Sequence, residues 1–227
     1  MTDMATVPRH TLMASESREA PAVVARMLTE NRAALQILGE RLRANPPQVV
    51  VTCARGSSDH AATYGKYLIE TLTGVPVASA APSITSLYAA PMSAANAVVI
   101  AVSQSGRSPD LLATVSAYRA GGAYVVALVN DATSPLAEMA DAFLPLHAGP
   151  ERAVAATKSC IAALAGLAAI AAAWSEDAAL TAALDRLPDA LAASLALDWS
   201  AATDALRDVT RMFVLGRGFG LGIAQEA

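Results

Sequence analysis

Five apolar residues, Val98 to Val102, run without a break into Ser103-Gln-Ser-Gly-Arg-Ser-Pro-Asp110. A short apolar run rich in β-branched residues, with no polar alternation, reads as a strand covered on both faces, the habit of parallel sheets. Polarity then switches on at Ser103. Ser103, Gln104, Ser105 and Ser108 offer hydroxyl and amide donors, and Gly106 permits a turn that a Cβ would resist. Pro109 suits the first position of a helix whose N-cap is Ser108. Free backbone N–H groups and the positive end of the helix dipole would face whatever sits in this turn, and phosphate suits that place. A capped strand-to-helix connection that binds nothing has the same local pattern, and such turns are common at the carboxyl ends of parallel strands.

The same construction occurs elsewhere. Glu16 to Asn45 has helical composition, with Val24, Met27, Leu28, Leu35, Leu38 and Leu42 near one face, and predicts one or two helices ended by Pro46-Pro47. Gln48 to Cys53 follows as a buried strand, then Ala54-Arg-Gly-Ser-Ser-Asp-His60 as a second hydroxyl-rich turn, then a helix from about Ala61 to Leu72. Gly74 and Pro76 introduce a strand through Ala80, and Pro82 to Ala90 reads as a short helix. After Val98 to Val102 and its helix come a strand at Tyr124 to Val129, a short helix from Pro135 to Ala140 and a fifth strand at Ala142 to Leu146. Strands and helices alternating at this spacing predict an α/β fold, a doubly wound five-stranded parallel sheet in a three-layer sandwich.

The chain beyond His147 is mostly helical. Ala148-Gly-Pro-Glu-Arg-Ala-Val-Ala-Ala-Thr-Lys-Ser159 leads into a long alanine-rich helix, and helix continues, with a break expected near Pro188, to about Asp208. Arg211 to Ala227 then reads again as strand, glycine turn and helix start, with Arg217-Gly218 echoing Arg55-Gly56. The expected organisation is an N-terminal helical segment (1–46), a complete domain (47–175), a helical linker (176–208) and the start of a second copy (209–227). On that expectation the sequence is a truncated piece or incomplete record of a longer protein.

Composition excludes several classes. The 227 residues are 54% hydrophobic and carry a net charge of -4, with no run of Lys and Arg that could track nucleic acid. Cys53 and Cys160 are far apart and lack metal-ligand spacing, so neither a disulfide framework nor a metal site is expected. Met1 to Ala20 lacks the apolar core of a secretory signal, and the apolar stretch Ser159 to Trp174 falls short of a span and reads as a buried helix. Arg217-Gly-Phe-Gly-Leu-Gly222 lacks the following acidic residue of a dinucleotide site, so no cofactor is expected. A cytoplasmic protein with no membrane partner follows as the expectation.

Taken together, Arg55-Gly-Ser-Ser58 with Tyr67-Leu-Ile-Glu-Thr-Leu-Thr-Gly-Val-Pro76, Ser103-Gln-Ser-Gly-Arg-Ser108, Ala148 to Lys158 and Gly216-Arg-Gly218 resemble the sugar isomerase (SIS) domain family. That family includes the isomerase half of glucosamine-6-phosphate synthase. The resemblance implies that Ser103, Gln104, Ser105 and Ser108 hold a sugar phosphate. It places Gly56, Ser57 and Ser58 beside the sugar and Val154 and Ala156 along its carbon chain. Ala156 stands where the family has serine, and Arg107 where the synthase usually has Glu, which would add positive charge near the phosphate.

The pattern looks most like stand-alone members acting as glucosamine-6-phosphate deaminases or related amino-sugar phosphate deaminase/isomerases, which form fructose 6-phosphate and ammonia. The synthase carries a glutaminase domain with a cysteine nucleophile near its start, whereas here Thr2 follows the initiator Met, so production of ammonia from glutamine is not expected of this chain. The resemblance places the proton-shuttling carboxylate about two turns beyond Glu226 and the ring-opening histidine in a second domain. This chain alone is therefore expected to be inactive, although the full protein is an enzyme. It also implies a homodimer acting on a phosphorylated amino sugar or ketose phosphate. A non-catalytic phosphosugar sensor and an aldose–ketose isomerase without ammonia release are the alternatives. Glu151 is the candidate acid, base or hydroxyl ligand. His60 reads more readily as a surface or capping residue, Lys158 as a solvent-facing lysine, Cys53 as core packing, Glu226 as a supporting carboxylate, and Arg55 as a partner of phosphate or of Asp59.

Overall fold

A computed structural model describes residues 11–227. Its sheet has five strands, all parallel, in the order β2-β1-β3-β4-β5: β1 (Val49–Cys53), β2 (Val77–Ser79), β3 (Ala97–Ser103), β4 (Tyr124–Val129) and β5 (Ala142–Pro145). β3 sits at the centre, with Val50 opposite Val98 on one side and Val99 opposite Val125 on the other. All seven of its residues are buried, as an uninterrupted apolar run requires.

Alternation along β3 divides the core into two layers. Val98, Ile100 and Val102 pack with α3 (Ser57–Thr73) and α7 (Lys158–Ser175) on one face, while Val99 and Ala101 pack with α5 (Pro109–Ala120) and α6 (Pro135–Met139) on the other. α7 is long and apolar enough to cross a membrane, but most of it is buried against neighbouring helices, which is how a core helix passes the same test. α1 (Leu12–Glu30) and α2 (Arg32–Ala44) both lie on α7, and α8 (Ala178–Leu195) packs on α1 and α7. The N-terminal helices are thus built into the same core as the sheet.

Several expectations change in detail. The helix after the first turn begins at Ser57 rather than Ala61, and α4 spans Pro82–Ser86. Pro188 does not break α8: it removes one N–H from the ladder, and the Ala- and Leu-rich turns around it carry the helix across. After α9 (Ser200–Leu206), the strand expected at Arg211 to Leu215 is not formed. A strand exists only by pairing, and this segment pairs with no described strand; Phe213 and Leu215 are left exposed. The helix expected after it does form, as α10 (Gly220–Glu226).

Candidate functional site at the carboxyl edge of the sheet

In the strand order 2-1-3-4-5 the succession of strands reverses between β1 and β3, β2 being added on one side of β1 and β3 on the other, and crevices at such a switch point are where open α/β sheets bind ligands. The first hydroxyl-rich turn leaves β1 and the second leaves β3, so the two face each other there. Between them lies a cavity of about 270 Å³ lined by Arg55, Ser57, Ser58, Ser103, Gln104, Ser105, Ser108, Val154 and Ala156, with Val102, Leu111 and Ala155. Every residue singled out for substrate contact lines it except Gly56, which is the N-cap of α3 at the cavity edge. Gly56 has φ +56 and ψ -133, a conformation that a side chain resists.

The second turn presents donors. Gly106 has φ +63, and its N–H donates to Ser103 Oγ at 2.9 Å. Ser103 is 8% exposed, and because its oxygen already accepts from the backbone, its own proton is left to donate into the cavity. Ser108 occupies the N-cap of α5 with Pro109 following, as its sequence predicts, but its hydroxyl makes no capping bond. The backbone N–H groups of Ser105 and Ser108 have no acceptor among the described residues. Hydroxyls, free amides and the N-terminus of a 12-residue helix therefore converge on one place, the requirement for holding an anion.

Guanidinium groups contribute less than expected. Arg107 turns away from the cavity: its Nη2 and Nε donate to Asp131 Oδ2 at 2.8 and 3.1 Å, and Nη2 also reaches Thr133. The Thr133 hydroxyl and N–H, together with Arg107, hold the Asp131 carboxyl below its usual range. Arg55 lines the cavity but pairs with Asp110 in the first turn of α5, rather than with Asp59. The pair ties the first turn to the second.

The third turn is held by two carboxylates whose roles a linear reading does not show. Glu151 is neither a solvated charge nor aimed at the cavity: it accepts from Thr157 N–H at 2.9 Å, from Ser159 N–H at 3.2 Å and from the Ser159 hydroxyl, closing the loop onto the start of α7. Glu16 of α1 accepts from the N–H groups of Arg152 at 2.6 Å and Ala153 at 3.1 Å, and these bonds hold its carboxyl below the ordinary value although it is 6% exposed. Lys158, expected in solvent, is 2% exposed and pairs with Glu19 at 2.7 Å. Arg26 donates to His147 O at 2.5 and 3.1 Å. The carboxylates of Glu16, Glu19 and Glu151 and the Arg26 guanidinium thus fix a loop on which Val154 stands fully exposed at the cavity mouth.

The two thiols are packing residues. Burial pushes the Cys53 and Cys160 thiols up to about 12, and the Cys160 thiol donates to Ser57 O at 3.7 Å beneath the first turn. His60 and Glu226 lie next to the first turn, where Glu226 joins both Ser57 and His60. They line a separate, mostly apolar cavity of about 470 Å³ that meets the first at Ala155 and Ala156.

The SIS domain model matches residues 46–173, the segment that carries the sheet and all three turns. The chain belongs to the SIS domain family. Among curated relatives, a glutamine–fructose-6-phosphate aminotransferase (isomerizing) from Symbiobacterium thermophilum is 35% identical over 198 residues, covering 82% of this chain and 32% of the relative. Its counterpart from Zymomonas mobilis is 38% identical over 169 residues, 72% of this chain and 27% of the relative. This SIS chain spans about a third of the length of the curated relatives it matches. Among solved structures, a Silicibacter pomeroyi protein assigned provisionally as a phosphosugar isomerase superposes with a TM-score of 0.90 at 42% identity, covering 94% of this chain and 65% of that one. The fold, at 20% identity, also matches tagatose-6-phosphate ketose/aldose isomerase from Escherichia coli, with a TM-score of 0.76 over 98% of this chain and 64% of that one.

Proposed function

We propose that this SIS chain binds a phosphosugar, with the phosphate held at Ser103, Gln104, Ser105 and Ser108 and the carbon chain running toward Ser57, Ser58, Val154 and Ala156. The observation that carries the reading is the convergence of unpaired donors on the cavity between β1 and β3. The activity proposed for the whole protein is aldose–ketose isomerisation of an amino-sugar phosphate with release of ammonia, glucosamine 6-phosphate giving fructose 6-phosphate, in a cytoplasmic homodimer. Relatives named as aminotransferases of fructose 6-phosphate, and a near structural neighbour assigned as a phosphosugar isomerase, support it.

Arg55 is the one ionisable residue lining the cavity, so the cavity has a grip for substrate but no acid or base of its own among the described residues. That observation favours a second reading, a phosphosugar-binding module without chemistry.

Titration calorimetry with glucosamine 6-phosphate, fructose 6-phosphate and a pentose 5-phosphate tests the binding. Hydrogen bonds to a charged group contribute about 1.5–3 kcal/mol each, so the double variant Ser105→Ala, Ser108→Ala should weaken the bound sugar phosphate by roughly a hundredfold or more. Unchanged affinity in that variant would refute the phosphate assignment. A coupled assay for ammonia on the chain and on the full protein separates deaminase, plain isomerase and binding module.

A further inference from the structure

α10 docks on α3 so closely that their faces have a fixed register. A Cβ on Gly222 would stand 2.4 Å from His60 O and 2.9 Å from Tyr64 N, so glycine is what lets the two backbones meet. Phe219 adds an edge contact to Tyr67, with ring centroids 6.5 Å apart. Glu226 follows Gly222 by four residues and lies on the same face of α10, one turn along. Ser57 and His60 are likewise three apart in the first turn of α3. The carboxylate meets both: Ser57 Oγ donates to Glu226 Oε1 at 2.7 Å, and His60 Nδ1 lies 2.7 Å from Oε2.

A carboxylate can only accept, so it fixes two protons. His60 carries its hydrogen on Nδ1, and the single hydroxyl hydrogen of Ser57 is committed to Glu226. Ser57 therefore turns lone pairs toward the cavity, the reverse of Ser103, whose oxygen is occupied by Gly106 N–H and whose proton is available. One end of the cavity donates and the other accepts.

We propose that Glu226 and His60 are positioning residues that hold Ser57 as an acceptor, making the end of the cavity opposite the phosphate selective for a hydrogen-bond donor, a sugar hydroxyl or an ammonium. This rests on the phosphosugar reading and adds a division of labour within it: the Ser57 end reads the sugar and contributes little to holding phosphate. The negative charge of Glu226 beside Ser57 acts in the same direction, since it disfavours phosphate there and favours a donor.

The test compares glucosamine 6-phosphate with inorganic phosphate by NMR titration of the 227-residue chain, which reads affinities into the tens of millimolar. Glu226→Ala should weaken glucosamine 6-phosphate about tenfold, the loss of one oriented hydrogen bond, and leave phosphate within about twofold. Glu226→Gln should recover most of the loss, because its amide oxygen can accept from Ser57 while its NH2 donates to the His60 ring. Ser57→Ala should lose the same tenfold, and Glu226→Ala added to it should lose nothing more. Equal weakening of both ligands, no weakening of either, or a Gln variant as poor as Ala would overturn the proposal and leave phosphosugar binding standing. Failure of the wild-type chain to bind either ligand would remove the phosphosugar reading and this proposal with it. A thermal melt within a few degrees of wild type for Glu226→Ala confirms that α10 stays docked.

Discussion

A methyl group at Gly106 would strike the second turn in two separable ways. The residue sits at φ +63, where an L side chain costs roughly 1–2 kcal/mol. Its Cβ would also stand 2.4 Å from Ser134 Oγ, 2.7 Å from Ser134 Cβ and 2.9 Å from Val129 Cγ2. Neither neighbour can step aside. Val129 is buried in β4, and Ser134 is buried as the N-cap of α6, accepting from Ala137 N–H at 3.3 Å. Overpacking of this kind costs about 1–3 kcal/mol, and displacing the cap adds about 1 kcal/mol. The total for Gly106→Ala is roughly 3–6 kcal/mol, a large part of the 5–15 kcal/mol typical of a domain. Gly74 provides the reference, since its φ is +72 but nothing lies within 4 Å of its Cβ position, so Gly74→Ala should lose only the torsional part. Urea denaturation of the two variants at equal m-value measures the difference, expected at about 2 kcal/mol or more. Two variants within about 0.5 kcal/mol of each other would refute the claim that the second turn is pressed against α6.

Two further outcomes follow from the buried groups. Glu16 has its carboxyl held below the ordinary value of 4.5 by the Arg152 and Ala153 N–H groups, so the folded protein takes up this proton later than the unfolded chain does. Its contribution is complete above the ordinary carboxylate range and is lost as pH falls through the lowered folded value. The stability of Glu16→Gln should therefore decline less between about pH 5 and pH 3 than that of wild type, and parallel denaturation curves would contradict this. Cys53 and Cys160, both pushed up to about 12, should resist a thiol reagent at neutral pH in the native protein and react on unfolding. Rapid native labelling of either would show that the carboxyl edge of the sheet opens far more than its packing implies.

The parts of the fold that depend on short-range pattern were legible from residues alone. Val98 to Val102 is the buried central strand because an unbroken apolar run has no face to give to water, and Gly106 and Ser108-Pro109 adopt the turn and helix start their chemistry prescribes. The pairing of side chains was not legible, because it is set by distances in space. Lys158 looked solvated until α1 brought Glu19 to it, and Arg55 had Asp59 nearby in sequence but Asp110 nearer in the fold. Glu16 gave one signal that could have been used. It lies on the helix that also carries Val23, Val24 and Met27, and a carboxylate among core positions needs donors from somewhere. The expected strand at Arg211 to Leu215 failed for a related reason: its local pattern is adequate, but a ladder requires a neighbour.

The brace that α1 forms under the third turn also bears on the order in which the molecule assembles. Arg152 and Glu16 are 136 residues apart, and Lys158 and Glu19 are 139 apart. β1 and β3, by contrast, pair Val49 with Ala97. Contacts of long separation form late, because the chain between them must surrender its freedom before they can reward it. On a ribosome the first helix would emerge early and wait for nearly the whole sheet before meeting its loop. The anion-holding turn would then be in place well before the wall that shields it, leaving a nascent protein able to grip phosphate before it can enclose a sugar.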